Sequence, residues 1–481
     1  MREIGVHHEQ RVTARRAESR DDRRRETGLA RPSHDAHGIR LAEPIRDLRR
    51  AVGRSVVDDD EFPLRIGERF RESFNETRER VGFVVCGDDD RDERARSLGV
   101  PSVTAVRVTF DARHLQTVAR VRGIGRYSRN LLAAFARTAP PDIEWTLLRL
   151  RNFPSADAAP LPPHRDLRTL RLRRPELSML ALDPVLLSFE LPFARPQVYH
   201  SVQLGLPAVR RFRAIVTIHD LAPLRWPEHY LRLPHARVGH AWQYALARRA
   251  DAIIAVSEAT KRDVIERLRV PESRVRVIPE AVDASFAPPA RDAALTRVRE
   301  RFSVTSPYVL YVGQFDPRKN MDGLVSAFAR AAERHRDLRL VIAGDLGKLA
   351  PFLYDALDRG RAPRERVALT GHVSDVDLAA LYAGAECLLH AALLEGFGLT
   401  PLESLAAGTP VVGLRAGAVE EVVGEAGILV DDRPEALADA LLRYLEDDVL
   451  RGRLRSLARG RASRFSWDSA AEATLALYRA V

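Results

Sequence analysis

The chain has 481 residues, and this length exceeds what one hydrophobic core usually organises, so we expect two domains. Its formal net charge is +10, but the basic residues are spread along the chain and form no aromatic-basic binding module, which argues against a nucleic-acid partner. Two cysteines, Cys86 and Cys387, exclude a disulfide framework, and the lack of a leader peptide and of an apolar run of about 18 residues predicts a cytoplasmic chain.

The first hundred residues are unusually rich in charge. They contain 22 Arg and 22 Asp or Glu, and a segment of this composition cannot build a core. Only Val81–Cys86 has the pattern of a strand. We expect residues 1–102 to be a charged, disordered extension. Two interpretations stay open, a regulatory arm and a start codon assigned too far upstream.

The N-terminal domain is predicted to begin with a strand at Val103–Phe110, where β-branched residues recur at alternate positions. The glycines of Gly123-Ile124-Gly125 follow, and the spacing of Tyr127 and Leu131 predicts a helix directly after them. A glycine turn before a helix presents backbone N–H groups to an anion. We therefore expect Gly125 to contact an anionic ligand, with a plain tight turn as the alternative.

A buried parallel strand is predicted at Ala214–Ile218, and His219 and Asp220 follow it. Ligands of open α/β sheets bind beyond the C-terminal ends of the strands, so this pair lies where a substrate would bind. A histidine satisfied by local backbone groups is the alternative. Further along the chain, Ser257 is expected to cap a helix at Glu258–Leu268.

Between these elements, arginines alternate with leucines over Arg165–Leu187. One interpretation is a solvated face covered by a helix. The other is a basic surface that lies against anionic lipid, in keeping with a lipid-linked acceptor. The sequence leaves both open.

The C-terminal domain is predicted to follow a proline-containing linker at 287–292, and strands and helices alternate again from Tyr308–Val312. Gly313 ends that strand, and Lys319 lies six residues later. Only three of the 76 basic residues are lysines, so a lysine at this position favours a specific role for a compact point charge. A solvated loop is the alternative.

The most informative stretch is Leu394–Ser404, which predicts a strand end, a glycine-rich turn at Gly396–Gly398 and a short helix. The turn offers backbone N–H groups at a helix N-terminus, and the missing side chains let a phosphate or a sugar approach closely. Glu395 lies on the turn and Glu403 on the helix. Two carboxylates would repel a phosphate, so their expected partners are hydroxyls. The combination predicts a sugar nucleotide as ligand.

This stretch resembles the two-glutamate donor motif of the retaining glycosyltransferases of family 4, which have the GT-B fold. Further motifs of the family occur in the same order along residues 103–481. Members have a histidine at the position of His219 that touches the donor sugar or the acceptor. They also have a lysine at the position of Lys319 and an arginine directly after the strand glycine, and these two cations neutralise the donor diphosphate. Gln314 replaces that arginine here, so Arg318 is the expected second cation.

The resemblance also implies the roles of the acidic pair and of the residues around it. Glu403 is expected to hold the ribose hydroxyls, and Glu395 to hold sugar hydroxyls and orient the anomeric carbon. The other donor-binding residues that the resemblance implies are Gly125, Gly313, Val373, Gly396, Phe397, Gly398 and Leu399.

The implied architecture is α/β, with two Rossmann-like domains that face a cleft. The acceptor domain is predicted at 103–288 and the donor-nucleotide domain at 305–465. A last helix at 466–481 is predicted to cross back to the first domain.

The implied reaction is a retaining transfer of a hexosyl group from a nucleoside-diphosphate sugar to a saccharide or lipid-linked acceptor, in the cytoplasm or at the inner face of the membrane. No metal or other cofactor is expected, because no Asp-x-Asp motif sits at a strand end. The motifs are most similar to those of mannosyl- and rhamnosyl-transferring members, which favours GDP-mannose over a UDP-hexose. A sugar-nucleotide epimerase of the same fold and a non-catalytic sugar-nucleotide-binding protein are the alternatives.

Overall fold

The computed structural model of this chain describes residues 105–153, 160–171, 175–283, 286–305, 307–314, 316–344, 350–433 and 435–481. The chain divides into two compact units, Met1–Asp60 and Glu61–Val481, and the first lies wholly outside the described residues. The extension expected at 1–102, with its strand predicted at Val81–Cys86, also lies outside them.

The first half of the described chain forms a sheet of seven parallel strands in the order β3-β2-β1-β4-β5-β6-β7. The strands are β1 Val106–Asp111, β2 Ile143–Leu150, β3 His164–Thr169, β4 Val198–Ser201, β5 Arg213–Ile218, β6 Ala252–Ala255 and β7 Val275–Val277. The helices of this half are Gly123–Thr138, Pro175–Glu190, Ala222–Arg225, Pro227–Tyr230, Pro234–Ala247 and Glu258–Leu268. Strand order reverses between β1 and β4, which is where open α/β sheets form their ligand crevice.

The second half repeats this plan with six parallel strands in the order β10-β9-β8-β11-β12-β13. The strands are β8 Tyr308–Val312, β9 Arg339–Ala343, β10 Val367–Gly371, β11 Leu388–His390, β12 Val411–Leu414 and β13 Gly427–Val430. The helices are Arg291–Phe302, Met321–Arg334, Ala350–Arg359, Asp375–Gly384, Leu399–Ala406, Val419–Val423, Ala436–Glu446 and Asp448–Ala462. Here the order reverses between β8 and β11, so the crevice lies at the ends of these two strands.

The central strands are buried on both faces. All four residues of β6 and of β12 are buried, and so are residues 308–311 of β8. Continuous apolar strands of this kind are typical of parallel sheets that helices cover on both sides. The predicted cap is also present, because Ser257 Oγ accepts a hydrogen bond of 3.0 Å from the Thr260 amide at the start of the helix Glu258–Leu268.

The glycines before the first long helix do not form the predicted loop. The helix begins at Gly123, so Gly125 lies within its first turn. A Cβ added to Gly125 would lie 2.3 Å from the carbonyl oxygen of Ala119. The prediction of a glycine loop was therefore wrong, because glycine is needed here for close packing of the helix against the preceding turn Val118–Val121.

The last helix, Trp467–Ala480, returns to the first sheet. Tyr478 Oη lies 2.6 Å from Nδ1 of His200 in β4, and the Trp467 ring meets the Tyr127 ring edge to face at 5.6 Å. Arg137 of the helix Gly123–Thr138 and Asp468 of the last helix form an ion pair of 2.6 Å. The predicted domain boundaries stay predictions. Among the described residues, no helix is both long and apolar enough to cross a membrane.

Candidate active site

The glycine-rich turn joins β11 to the helix Leu399–Ala406, as predicted. Gly398 precedes the helix with φ of +105°, a left-handed conformation that glycine adopts without strain. The turn starts at the end of β11, next to β8, and therefore lies at the crevice of the second sheet.

Gly396 brings this turn into contact with the first sheet. A Cβ added to Gly396 would lie 1.7 Å from the carbonyl oxygen of His219, directly after β5. Ser257 Oγ and Thr260 Oγ1 donate hydrogen bonds to the Gly396 carbonyl at 2.6 and 3.0 Å. The lack of a side chain at Gly396 thus lets the two halves of the chain touch. The sequence had predicted a different reason for this glycine, the close approach of a phosphate or a sugar. Donor contact at Gly396 stays a prediction.

Glu395 lies in a cluster of charged and titratable side chains. Its Oε1 pairs with Lys319 Nζ and lies 3.5 Å from Nε2 of His390, the last residue of β11. Burial raises the pKa of Glu395, but the nearby Lys319, His390 and Arg318 outweigh it and lower that pKa to about 2. Glu395 is therefore an ionised, buried carboxylate at neutral pH.

The two predicted cations follow β8 on the turn Pro317–Lys319. Asp316 caps this turn by accepting the Arg318 amide at 3.0 Å. The turn sends the two side chains to different partners, since Lys319 pairs with Glu395 whereas Arg318 Nη1 donates to Asp220 Oδ2 at 2.6 Å. Arg318 therefore joins the end of β8 to the end of β5.

Glu403 is held by one residue from each half of the chain. Its Oε1 accepts a hydrogen bond of 2.5 Å from Arg126 Nη1, and its Oε2 accepts one of 2.9 Å from Tyr382 Oη. Burial raises the pKa of Glu403, although Arg126 and Tyr382 act in the opposite direction. The carboxylate is thus oriented by two donors before any ligand hydroxyl reaches it.

His219 uses both ring nitrogens within the protein. Nδ1 lies 2.9 Å from Glu280 Oε1, and Nε2 lies 3.0 Å from the carbonyl oxygen of Val202. Burial lowers the pKa of His219, but the hydrogen bond to Glu280 raises it, and the net direction is upward. His219 is thus satisfied within the protein, but by a distant carboxylate and a distant carbonyl rather than by the local backbone groups of the alternative. Its contact with the donor or acceptor stays a prediction.

The remaining predicted donor residues have clear packing roles. The Phe397 ring meets the Phe465 ring edge to face at 5.7 Å, and Val373 and Leu399 are partly buried against the hydrophobic core. Gly313 has φ of +156°, and a Cβ added to the neighbouring Gly344 would lie 2.1 Å from the Gly313 carbonyl oxygen. Their contacts with a donor stay predictions.

Sequence reasoning missed Arg126, Tyr382 and His390, which contact the two glutamates. Arg126 directly follows Gly125, but no local pattern links its side chain to a carboxylate 277 residues away. His390 ends β11, a position that the strand pattern could have indicated. No local signal identifies Tyr382, which lies on the buried helix Asp375–Gly384.

Within the described ranges, no group of three or more His, Cys, Asp or Glu side chains could hold a metal ion. Metal-independent transfer stays a prediction.

Two family descriptions of glycosyltransferases match the chain, one over each half. "Glycosyltransferase Family 4" matches residues 121–286, which contain most of the first sheet, and "Glycosyl transferases group 1" matches residues 293–461, which contain the whole second sheet. The chain belongs to the family 4 glycosyltransferases. This confirms the resemblance recognised in its motifs, and it confirms that this glycosyltransferase is an enzyme rather than a binding protein alone.

Named relatives cover different shares of this glycosyltransferase. It is 28% identical to the O-antigen chain mannosyltransferase B of Escherichia coli over 373 residues, which are 74% of this chain and 96% of that protein. It is 35% identical to the D-inositol 3-phosphate glycosyltransferase of Xylanimonas cellulosilytica over 57% of this chain and 66% of that protein. It is also 29% identical to the serotype-specific mannosyltransferase WbdA of Escherichia coli, but spans only 32% of its length.

Solved structures agree with the predicted fold class. The sucrose-phosphate synthase of Thermosynechococcus elongatus has a TM-score of 0.63 at 22% identity and covers 78% of this glycosyltransferase and 98% of its own chain. HepE of Anabaena, solved with UDP and glucose, has a TM-score of 0.61 at 17% identity, and the match covers 78% of this glycosyltransferase and 100% of the HepE chain. The GT-B fold is therefore confirmed.

Proposed function

We propose that this glycosyltransferase moves a mannosyl group from GDP-mannose to a hydroxyl of a saccharide or lipid-linked acceptor in polysaccharide or glycoconjugate synthesis. The observation that carries the proposal is the similarity to the O-antigen chain mannosyltransferase B, which extends over both sheets and nearly the whole of that protein. Glu395 and Lys319 pair at the crevice of the second sheet, and Glu403 lies on the helix that follows the same turn, which supports a sugar-nucleotide site there.

The proposed chemistry needs charge neutralisation above all. The bond between the anomeric carbon and the β-phosphate oxygen breaks, and negative charge grows on the leaving diphosphate. Lys319 and Arg318, together with backbone N–H groups at helix N-termini, are the groups that would stabilise this charge without a metal. Each cation is already positioned by a carboxylate, Glu395 or Asp220, so little reorganisation is required.

The acidic pair would orient the donor. Glu403, held by Arg126 and Tyr382, accepts the ribose hydroxyls, and Glu395 accepts sugar hydroxyls beside the anomeric carbon. The acceptor oxygen then bonds to the anomeric carbon on the face that the diphosphate leaves. Its proton passes to a phosphate oxygen of the leaving group, and configuration is retained.

The acceptor and its location belong to the same proposal. Leu170, Leu182 and Phe193 have exposed apolar side chains, and Arg165 and Arg168 of β3 are exposed as well. This composition is suited to the interface of an anionic membrane. We therefore favour a lipid-linked acceptor reached from the cytoplasmic face. We expect the chain to cosediment with phosphatidylglycerol vesicles but not with phosphatidylcholine vesicles. Sedimentation with neither kind of vesicle, or to the same extent with both, would contradict this proposal.

The donor is tested by a thermal-shift panel of GDP, UDP, ADP and dTDP, because a ligand that binds only the folded state raises its stability with concentration. GDP is expected to give the largest shift in melting temperature. In a separate activity assay, the chain is expected to transfer mannose from GDP-mannose to a saccharide acceptor. Stabilisation by UDP alone would overturn the mannose assignment in favour of a UDP-hexose. No shift with any nucleotide would count against the proposed site.

A further inference from the structure

Arg126 spans the two halves of the molecule. It lies in the first turns of the helix Gly123–Thr138, yet its Nη1 donates to Glu403 at 2.5 Å and its Nη2 to Asp375 at 3.1 Å. The side chains of Arg126 and Glu403 are 25% and 6% exposed, so much of this pair is shielded from water. A shielded, charge-assisted contact is stronger than a surface ion pair.

This contact covers the oxygen that a ribose would use. Glu403 Oε2 faces Tyr382 Oη, and the Tyr382 side chain is fully buried, which leaves no route for a ligand from that side. Oε1 faces Arg126, the more exposed of the two partners. A ribose that hydrogen-bonds to Glu403 must therefore approach where the guanidinium lies.

A second site for the guanidinium follows from the charges nearby. Position 314, directly after the strand glycine, is Gln314 and carries no charge. The two cations of the turn Pro317–Lys319 are each paired, Lys319 with Glu395 and Arg318 with Asp220. A diphosphate attached to the ribose brings at least two negative charges next to Glu403. The planar fork of a displaced arginine binds phosphate oxygens in a bidentate manner.

We propose that Arg126 exchanges partners when the donor binds: it leaves Glu403 and Asp375 as the ribose hydroxyls reach Glu403, and it then pairs with the donor diphosphate. Arg126 thus adds a third cation to Lys319 and Arg318 at the diphosphate, and it couples donor binding to the contact between the two halves. The inference rests on the proposed role of Glu403 in ribose binding.

This exchange is tested with pairs of ligands, a nucleoside and its diphosphate, that differ only in their phosphates. The dissociation constants of guanosine and GDP, and of uridine and UDP, are measured by isothermal titration calorimetry for the wild-type chain and for Arg126→Gln. The nucleoside should bind about threefold more tightly to Arg126→Gln, because no ion pair has to be broken. The diphosphate should bind about tenfold more weakly, because a charge-assisted contact is lost. General damage to the fold would weaken both ligands together.

Arg129→Gln is the matched control. Arg129 lies three residues later on the same helix, is 30% exposed at its side chain and pairs with Asp283 at 2.5 Å. It is expected to bind both ligands as the wild type does. Arg126→Lys keeps the charge without the fork, and it should bind the diphosphate more tightly than Arg126→Gln.

The outcomes separate this inference from the proposed function. If the wild type binds a diphosphate and Arg126→Gln binds both ligands unchanged, or both more weakly, the exchange of partners is wrong and the donor site stands. The same conclusion follows if Arg129→Gln reproduces the effect or if Arg126→Lys binds the diphosphate no better than Arg126→Gln. If the wild type binds neither GDP nor UDP, the donor site itself is wrong, and the exchange is overturned with it.

Discussion

Replacing Glu395 by glutamine should destabilise the folded chain by an amount that depends on pH. Burial alone would raise the pKa of Glu395, but Lys319 and its neighbours lower it from 4.5 to about 2. A change of one unit in a pKa corresponds to about 1.4 kcal/mol, so the ionised carboxylate contributes about 3 kcal/mol to the free energy of unfolding at neutral pH. Glu395→Gln loses this contribution and leaves Lys319 without its carboxylate.

The direction of the pH dependence follows from the lowered pKa. The contribution is complete above about pH 4.5 and is lost as the pH falls toward 2, because the unfolded chain takes up the proton first. The difference between wild type and Glu395→Gln in the free energy of unfolding should therefore shrink by about 1 kcal/mol between pH 6 and pH 3.5. Urea unfolding followed by tryptophan fluorescence measures it.

Glu420→Gln provides the control for this experiment. Glu420 also pairs with an arginine, Arg415, but its side chain is 57% exposed, so its loss should cost less than about 1 kcal/mol. A Glu395→Gln chain as stable as the wild type at pH 7 would refute the reasoning. A difference that is the same at pH 3.5 and pH 6 would show that the carboxylate is not held ionised by Lys319.

Four further predictions follow from the same contacts. Gly396→Ala should abolish transfer, because its Cβ would lie 1.7 Å from the His219 carbonyl, whereas Gly452→Ala, with nothing within 4 Å, should keep wild-type rates and melting temperature or a slightly higher one. Tyr382→Phe should raise the KM for the donor several-fold with little change in kcat, because only the hydrogen bond to Glu403 is lost; an unchanged KM would exclude that role. Lys319→Ala should lose turnover and keep a native circular dichroism spectrum, and wild-type rates would assign the leaving-group charge to Arg318 instead. Burial raises the pKa of Cys387, so in a Cys86→Ser chain a thiol reagent should react only in urea, and rapid labelling of that native chain would contradict the position of Cys387 in the core.

Sequence reasoning succeeded where the signal is local. The buried strands β5 and β8, the Ser257 cap and the turn before Leu399–Ala406 depend on residues close together in the chain, and each was predicted within a few residues. The first strand of the second sheet could thus be predicted from an apolar run that ends before Gly313.

Features that depend on tertiary contacts could not be predicted in this way. β3 was missed inside the alternating arginines and leucines, because it is an edge strand whose residues are mostly exposed and lack an apolar face. Gly125 was assigned to a loop, because nothing local reveals that Ala119 packs against it. The contact between Arg126 and Glu403 joins residues 277 positions apart, and no local pattern encodes such a distance.

The return of the last helix to the first sheet has a consequence for biosynthesis. The Tyr478 ring lies 6.1 Å from Phe135 and 6.0 Å from Trp145, and its hydroxyl contacts His200, so the final residues complete a core that the early residues begin. Domains usually fold in the order in which the ribosome releases them. Here the half that is made first keeps part of its aromatic core uncovered until the helix Trp467–Ala480 has left the ribosome, and a nascent chain stalled before that point would present this surface to chaperones and proteases.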